Sequence, residues 1–268
     1  MSIIDNQTYL REQYQDASNL NTRIRLHQIF RVNDYGWFRW VFDRFDLPEE
    51  ARILELGCGP GLLWWENADR VPAGWEISLS DFSLGMLAQA CASMMERPHH
   101  TFRFEAIDAQ AIPYPAAHFD GVIANHFLYH VPDRKRAIAE IRRVLKPGGH
   151  LYATTIGEGH MREIPQLVRR FDPCAEVTIH GSEFPFTLEN GKDQLQVAFG
   201  EVRMWRYPDA LHITSAEPLA DYIFSLSRFH IPQREHLRRE LITFIESELA
   251  AHDGVIVIHK ESGIFRAR

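Results

Sequence analysis

The run Gly57-Cys58-Gly59-Pro60-Gly61 is the part of this 268-residue sequence whose chemistry can be inferred most directly. It follows a short apolar segment, residues 52–56, and precedes a helix-compatible segment that begins at Leu62. A glycine turn between a strand and a helix lets the backbone approach a ligand closely and presents free N–H groups at the helix start. The run therefore predicts a cradle for a nucleotide-like ligand, in which Cys58 packs and carries no chemistry.

The spacing of the glycines narrows the choice of ligand. The dinucleotide fingerprint is G-x-G-x-x-G, whereas here Gly61 comes one position early and Leu62 stands where a dehydrogenase has Gly or Ala. The early position of Gly61 disfavours a dinucleotide. Because glycine-rich turns are common, the run is informative only together with its flanking strand and helix and the acidic residue Glu55.

Two aspartates follow the next two predicted strands. Asp81 lies 24 positions after Gly57, where a carboxylate can accept both hydroxyls of a ribose. Its alternative role is a helix N-cap, for which Ser83 is better placed. Asp108, with the backbone N–H of Ala109, is placed to contact the polar edge of an adenine; the alternative is an aspartate in a surface turn.

Three titratable side chains occur in the segment Asn125-His126-Phe127-Leu128-Tyr129-His130, which follows the fourth predicted strand. Histidine is the usual general base for an acceptor that must lose a proton, so His126, His130 or Tyr129 is a candidate to contact the acceptor. The alternative is that all three are packing residues. The two histidines lack the intervening Glu of a H-E-x-x-H motif and a third ligand, so no metal site is expected.

Short apolar segments alternate with helical ones, which is typical of a parallel sheet with crossover helices. Residues 1–50 are predicted to form a helical cap whose aromatic residues either line a pocket or form a core. The core motifs occupy residues 51–156, and helical insertions are expected within 157–253. The candidate strands are Arg52–Leu56, Trp75–Ser80, Thr101–Ala106, Phe119–Ala124, His150–Ile156, Glu201–Ile213 and Val255–Ile258; the candidate helices are Leu84–Glu96, Arg134–Leu145, Met161–Phe171, Pro218–Arg228 and Pro232–Ala251.

Composition limits the classes of partner. The formal net charge is −7, which disfavours a nucleic-acid substrate, because phosphate binding usually requires a basic surface.

The three cysteines, Cys58, Cys91 and Cys174, are far apart and form no C-x-x-C pair, so a reducing cytoplasm is expected. We find neither a secretory signal profile nor an apolar run long enough to span a bilayer.

Five segments in this order and spacing resemble class I S-adenosylmethionine-dependent methyltransferases, in particular the ubiquinone/menaquinone-biosynthesis branch that contains many small-molecule enzymes. These segments are Ile53–Gly61, Asp81–Leu87, Asp108–Pro113, Phe119–His126 and Leu145–Gly149. The resemblance implies a Rossmann-like, doubly wound α/β fold with a mostly parallel sheet, an antiparallel last strand and capping helices. Residues 51–268 would then be the methyltransferase domain.

The resemblance also implies that S-adenosyl-L-methionine is the cofactor. Glu55 and the loop from Gly57 to Gly61, with Cys58, would hold its methionine part, and Asp81 its ribose. Phe82 and Met86 are further candidates for contact with the cofactor. The adenine would lie on Asp108 and Ala109, with Asn125 lining the cofactor near the acceptor. Residues 160–268 match the family only in general shape, so the resemblance does not identify the acceptor.

The expected function is methyl transfer to an O, N or C nucleophile of a small organic molecule. Such a displacement mainly requires that donor and nucleophile be aligned and shielded from water. The alternatives are an RNA or protein methyltransferase, an NAD(P)-dependent oxidoreductase, which Leu62 disfavours, and a non-catalytic cofactor-binding protein.

Overall fold

The computed structural model of the protein describes residues 18–95, 102–175, 185–226 and 234–268. Its centre is a seven-stranded sheet in the order β3-β2-β1-β4-β5-β9-β6. Strands β1 to β5 are parallel, whereas β9 runs antiparallel to both β5 and β6. The strands of this sheet are β1 (Arg52–Leu56), β2 (Glu76–Ser80), β3 (Phe102–Glu105), β4 (Phe119–Asn125), β5 (Leu145–Ile156), β6 (Val202–Tyr207) and β9 (Ser262–Ala267).

A separate antiparallel pair consists of β7 (Ala210–Ile213) and β8 (Ile256–His259). A short 3₁₀ turn, Leu128–His130, follows β4. The α-helices of the described part of the chain are α1 (Ser18–Phe30), α2 (Trp37–Phe42), α3 (Leu62–Glu66), α4 (Leu84–Met95), α5 (Arg134–Val144), α6 (Glu163–Phe171), α7 (Gly191–Gln196), α8 (Ala216–Leu226) and α9 (Arg234–Ala251).

Both faces of the sheet are buried, because the strands are apolar at successive positions rather than at every second one. On β1, Leu54 packs in one hydrophobic cluster with helix α5, while the adjacent Ile53 packs on the opposite face with α2, α3 and α4. Helix α5 buries Ala137, Ile138 and Ile141 against the sheet. This burial on both faces confirms the predicted doubly wound arrangement.

A third hydrophobic cluster lies outside the sheet and joins parts of the chain that are far apart in sequence. Leu26 of α1, Leu167 of α6, Leu219 of α8, Ile245 of α9 and Ile258 of β8 all belong to it. The N-terminal helix therefore packs on elements of the second half of the chain. Residues 1–17 of the predicted cap lie outside the described residues, as do predicted element ends at 96, 101, 227–228 and 232–233.

The fold class expected from the sequence is confirmed, including the antiparallel strand at the C-terminal end, but two strand predictions were wrong. The segment Glu201–Ile213 is two strands in different sheets, because it is interrupted at Pro208, which has no N–H to donate. The segment Val255–Ile258, predicted as a buried strand, does form a strand at residues 256–259, but that strand belongs to the two-stranded sheet, where Val257 is 40% exposed. The antiparallel strand of the main sheet is instead β9.

The segment Lys146-Pro147-Gly148-Gly149 has the composition that is typical of the end of a helix. Helix α5 does end at Val144, but these four residues already belong to β5, whose pairing with β4 is irregular between Phe119 and Gly121. No helix among the described residues is long and apolar enough to cross a membrane.

Candidate active site

The glycine loop forms the turn between β1 and α3 that the sequence predicts. Its three glycines all have positive φ: 70° at Gly57, 53° at Gly59 and 80° at Gly61, which is the N-cap of α3. Gly57 cannot be replaced without rearrangement, since a Cβ there would lie 2.4 Å from Cδ2 of Phe127. Cys58 is 8% exposed, and burial raises the pKa of its thiol, so it is a packing residue with an unreactive sulfur.

Glu55 lies beneath the loop and is held by two donors. Its Oε2 accepts a hydrogen bond from Nε1 of Trp64 at 2.5 Å, and its Oε1 accepts one from Nδ2 of Asn125 at 2.9 Å. The side chain is 2% exposed. Burial raises the pKa of Glu55 to about 8, against the lowering effect of the two hydrogen bonds.

Asp81 connects the glycine loop to the start of α4. Its Oδ2 accepts from the Gly59 N–H at 3.0 Å, and its Oδ1 accepts from the Ser83 N–H at 2.8 Å. The Phe82 N–H also contributes to the stabilisation of this carboxylate. A carboxylate has about four lone-pair directions, so Asp81 keeps acceptor capacity for a ribose hydroxyl. Ser83 Oγ accepts from the Met86 N–H at 3.3 Å and caps the helix, which leaves Asp81 available for a ligand.

Asp108 and Ala109 follow β3. The exposed Asp108 carboxylate accepts from the backbone N–H of Gln110 at 2.8 Å and from its side-chain amide at 3.0 Å, so it shapes the turn as well as facing the cavity. Ala109 is 2% exposed.

One cavity of about 870 Å³ brings together almost all of the predicted site residues. Gly61 is the exception, because it does not line the cavity and acts instead at the start of α3. The predicted site residues that line the cavity are Glu55, Gly57, Cys58, Gly59, Asp81, Phe82, Met86, Asp108, Ala109, Asn125, His126, Tyr129 and His130.

Three of these residues reach the cavity from the segment that follows β4. His126 has a left-handed backbone (φ 46°), and its N–H donates to Oγ1 of Thr154 at 2.9 Å. Burial and, secondarily, the charge of Lys260 lower the pKa of His126 to about 4. Burial, with contributions from Arg23 and His126, lowers the pKa of His130 to about 3. Both imidazoles are therefore neutral at physiological pH.

The other end of the cavity is lined by residues that were not assigned to the site from sequence. Burial lowers the pKa of His160 to about 3, and Asp209 accepts a hydrogen bond from Lys260 at 2.5 Å. These residues lie on α1, α3, β6 and α8, beside α1 and the C-terminal strands, or between β5 and α6, and no local motif marks them. They include Arg23, His27, Arg31, Glu66, His160, Tyr207, Asp209, Tyr222 and Lys260. Trp37 of α2, one of the N-terminal aromatic residues considered for a pocket, lines the cavity as well.

The lining of the cavity is compatible with S-adenosylmethionine as its ligand. A glycine cradle whose first position excludes a Cβ lies beside an aspartate with remaining acceptor capacity and a second aspartate further along. Among the described residues no group of three or more His, Cys, Asp or Glu side chains is placed to hold a metal ion.

Comparison with known proteins supports the same class of ligand. Residues 54–153 match the family model "Methyltransferase domain". A malonyl-[acyl-carrier protein] O-methyltransferase of Enterobacter lignolyticus is 34% identical over 125 residues, which cover 46% of this chain and 45% of that protein. A demethylmenaquinone methyltransferase of Renibacterium salmoninarum is 33% identical over 146 residues, covering 50% of this chain and 58% of that protein. The chain thus spans about half the length of the curated relatives that it matches.

Among solved structures, phosphoethanolamine N-methyltransferase 2 of Haemonchus contortus, in complex with S-adenosyl-L-methionine, superposes with a TM-score of 0.60 at 17% identity. That alignment covers 100% of this chain and 60% of the other. It shows the same fold. The match over residues 54–153 and these relatives support a methyltransferase domain of the class I, S-adenosylmethionine-dependent kind in this part of the chain.

Proposed function

We propose that this protein transfers a methyl group from S-adenosyl-L-methionine to an O, N or C nucleophile of a small organic molecule. The observation that carries the proposal is the single cavity of about 870 Å³. At one end it has the glycine loop with Asp81 and Asp108, and at the other a chamber roofed by α1 and α8. Donor and acceptor sites are thus continuous.

The residues of the chain have separate tasks in this proposal. Bound S-adenosylmethionine supplies a methyl group on a positively charged sulfur. The backbone of Gly57 to Gly59 cradles the methionine part, Asp81 accepts the ribose hydroxyls, and Asp108 with Ala109 contacts the adenine. Asn125 is tied to Glu55 and stands between the two ends of the cavity. Methyl transfer also requires that water be kept away from the reacting atoms, so that the acceptor does not compete with solvent.

His126 is our candidate for contact with the acceptor or its proton. Its ring packs against Trp37 at 5.3 Å between centroids and makes no hydrogen bond with any described residue. With a pKa of about 4 the imidazole is neutral and has a free lone pair at physiological pH. His130 and Tyr129 adjoin it, with their own rings 4.4 Å apart.

The alternative functions have less support. Helix α3 begins directly after Gly61 with Leu62, so the third glycine of the dinucleotide fingerprint is missing. The acceptor chamber is lined by side chains of α1 and α8 rather than by an open basic groove. All three cysteines are free thiols, which supports a cytoplasmic location.

Calorimetric titration of the protein with S-adenosylmethionine, S-adenosylhomocysteine and NAD tests the cofactor. We expect binding of the first two and none of NAD, and a preference for NAD would overturn the proposal. A screen for transfer of labelled methyl groups to metabolite extracts would then identify the acceptor. With that acceptor, unchanged turnover of both His126→Ala and His126→Gln would exclude a catalytic role for this imidazole.

A further inference from the structure

Arg31 and Glu66 are oppositely charged, line the same cavity and are not paired with each other. No salt bridge joins them within 4.0 Å, and neither side chain makes a hydrogen bond or ion pair with any described residue. Burial raises the pKa of Glu66, and the charges of Arg31 and Arg39 counteract this increase. Arg31 and Glu66 thus attract each other without direct contact, and both keep hydrogen-bonding capacity for a charged ligand.

Gly36 shows how close the two groups lie. A Cβ on Gly36 would be 3.4 Å from Nη1 of Arg31 and 3.8 Å from Oε2 of Glu66. The backbone here has φ 88°, which favours glycine, so the space between the two charges stays open. The gap can accommodate a small group that carries both charges.

The backbone around Arg31 is fixed before any ligand binds. The Arg31 N–H donates to the His27 carbonyl at 3.1 Å, and the Val32 N–H donates to the Ala210 carbonyl at 3.0 Å. The Asp209 carboxylate also accepts from the N–H groups of Val32 and Asn33, at 3.2 and 3.0 Å. The end of α1 is therefore anchored to β7, which restricts where the Arg31 side chain can reach.

Two observations indicate that Arg31 and Glu66 bind the cofactor rather than the acceptor. Glu66 lies in α3, the helix that starts at the glycine loop, and Leu62 and Leu63 of the same helix line the cavity beside it. Glu55, the acid expected to hold the methionine part, is 2% exposed, so little of its carboxylate reaches the cavity, and as an acidic group it cannot neutralise the carboxylate of the cofactor. The amino-acid end of the cofactor therefore needs other charged partners.

We propose that Arg31 and Glu66 form the subsite for the zwitterionic amino-acid end of the cofactor. The guanidinium binds the carboxylate, a geometry for which arginine is well suited, and the Glu66 carboxylate binds the ammonium group. This inference rests on the proposed function, since it takes S-adenosylmethionine as the ligand of this cavity.

The test compares two ligands by calorimetry. S-Adenosylhomocysteine contains the amino-acid end, whereas 5′-deoxy-5′-methylthioadenosine has the same nucleoside and sulfur without it. We expect Arg31→Gln and Glu66→Gln each to weaken S-adenosylhomocysteine binding by roughly ten- to a hundredfold, as for a lost charge-assisted hydrogen bond. Binding of methylthioadenosine should change less than about twofold. The matched controls are Arg25→Gln and Glu50→Gln, whose side chains are exposed and do not line the cavity.

The outcomes separate this inference from the proposed function. Binding of neither ligand by the unaltered protein would overturn both. If the unaltered protein binds both ligands, unchanged affinity of the Arg31 and Glu66 variants for S-adenosylhomocysteine would overturn the inference alone. A parallel loss of both ligands would also overturn it, since the substitution would then affect the nucleoside site. Unfolding midpoints of the variants establish that they remain folded.

Discussion

At the residue scale, a chain of hydrogen bonds links the glycine loop to the proposed acceptor chamber. Trp64 and Asn125 both donate to Glu55, and Thr154 Oγ1 donates to Asn125 Oδ1 at 3.3 Å. The same hydroxyl accepts from the His126 N–H at 2.9 Å. These hydrogen bonds support His126 in its left-handed backbone conformation. The candidate residue for contact with the acceptor is therefore linked to Glu55 of β1.

Replacement of Glu55 tests the stability of this chain. We expect Glu55→Ala to lower the free energy of unfolding by about 1–3 kcal/mol, because it leaves buried donors of Trp64 and Asn125 without an acceptor. Trp64→Phe removes only one donor. In a double-mutant cycle measured by urea unfolding, the two changes should be non-additive. Strict additivity would show that the Trp64–Glu55 bond contributes nothing to stability.

Asp81 belongs to the nucleoside part of the site. Asp81→Asn keeps the shape but replaces one of two acceptor oxygens by an NH₂ group, which then faces a backbone N–H. We expect affinity for S-adenosylhomocysteine and for methylthioadenosine to fall together, by about tenfold or more. Ser83→Ala, which removes only the helix cap, is the control for a general disturbance of α4. A larger loss of ligand affinity in the control than in Asp81→Asn would contradict the ribose assignment.

At the element scale, the cavity is completed by α1, which is anchored to the second half of the chain. Asp209, at the start of β7, accepts hydrogen bonds from Val32 and Asn33 at the end of α1, and it also pairs with Lys260 next to β8. The side chains of Asp209 and Lys260 are 1% and 9% exposed. One buried carboxylate thus holds three elements around the acceptor chamber.

Removal of this carboxylate should be much more costly than removal of a surface one. We expect Asp209→Ala to destabilise the fold by about 3–5 kcal/mol, since it leaves the Lys260 charge buried and unpaired. Asp221→Ala breaks a partly exposed pair between α8 and Arg238 and should cost at most about 1 kcal/mol. Urea unfolding of the two variants measures the difference. Equal losses would mean that Asp209 does not anchor the cap.

At the scale of the whole molecule, four neutral histidines meet around one chamber. Burial is the main cause that lowers the pKa of each of them: His27, His126, His130 and His160. Repulsion by Lys260, by Arg23 and by neighbouring histidines in their protonated form lowers these pKa values further. The folded protein therefore takes up protons at these sites only in acid.

Stability should consequently depend on pH. Histidines of the unfolded chain titrate near pH 6.5, whereas His126 and His130 stay neutral in the folded protein until about pH 4 and 3. Between these values the unfolded state binds more protons, so the free energy of unfolding falls as pH decreases from about 7 toward 4. Each histidine contributes up to about 1.4 kcal/mol per pH unit.

Urea unfolding at a series of pH values measures this dependence. His130→Gln should make the slope shallower, because it removes a group that binds a proton in the unfolded state over a pH range in which it stays neutral in the folded state. A slope that is unaffected by His130→Gln would show that this imidazole is not buried in a neutral state.

Short-range rules account for the half of the site that the sequence predicted. The glycine loop, Asp81 and the Ser83 cap follow from strand–turn–helix patterns within a few residues, and parallel pairing brings the carboxyl ends of β1, β2 and β4 to one edge. The same alternation of apolar segments was sufficient to predict the fold class. Local periodicity did not distinguish strands of the main sheet from β7 and β8, because it does not specify a strand's partner.

The sequence by itself predicted the glycine-loop end of the cavity, since that end is encoded by contiguous residues whose backbone geometry is local. Only the tertiary structure placed Arg31 beside Glu66, and His27 beside His126 and Lys260. These residues are far apart in the chain and meet because the apolar face of α1 packs on α8 in the third hydrophobic cluster. This packing depends on the shapes of both helices. The spacing of residues within one segment does not specify which other segment it will pack against.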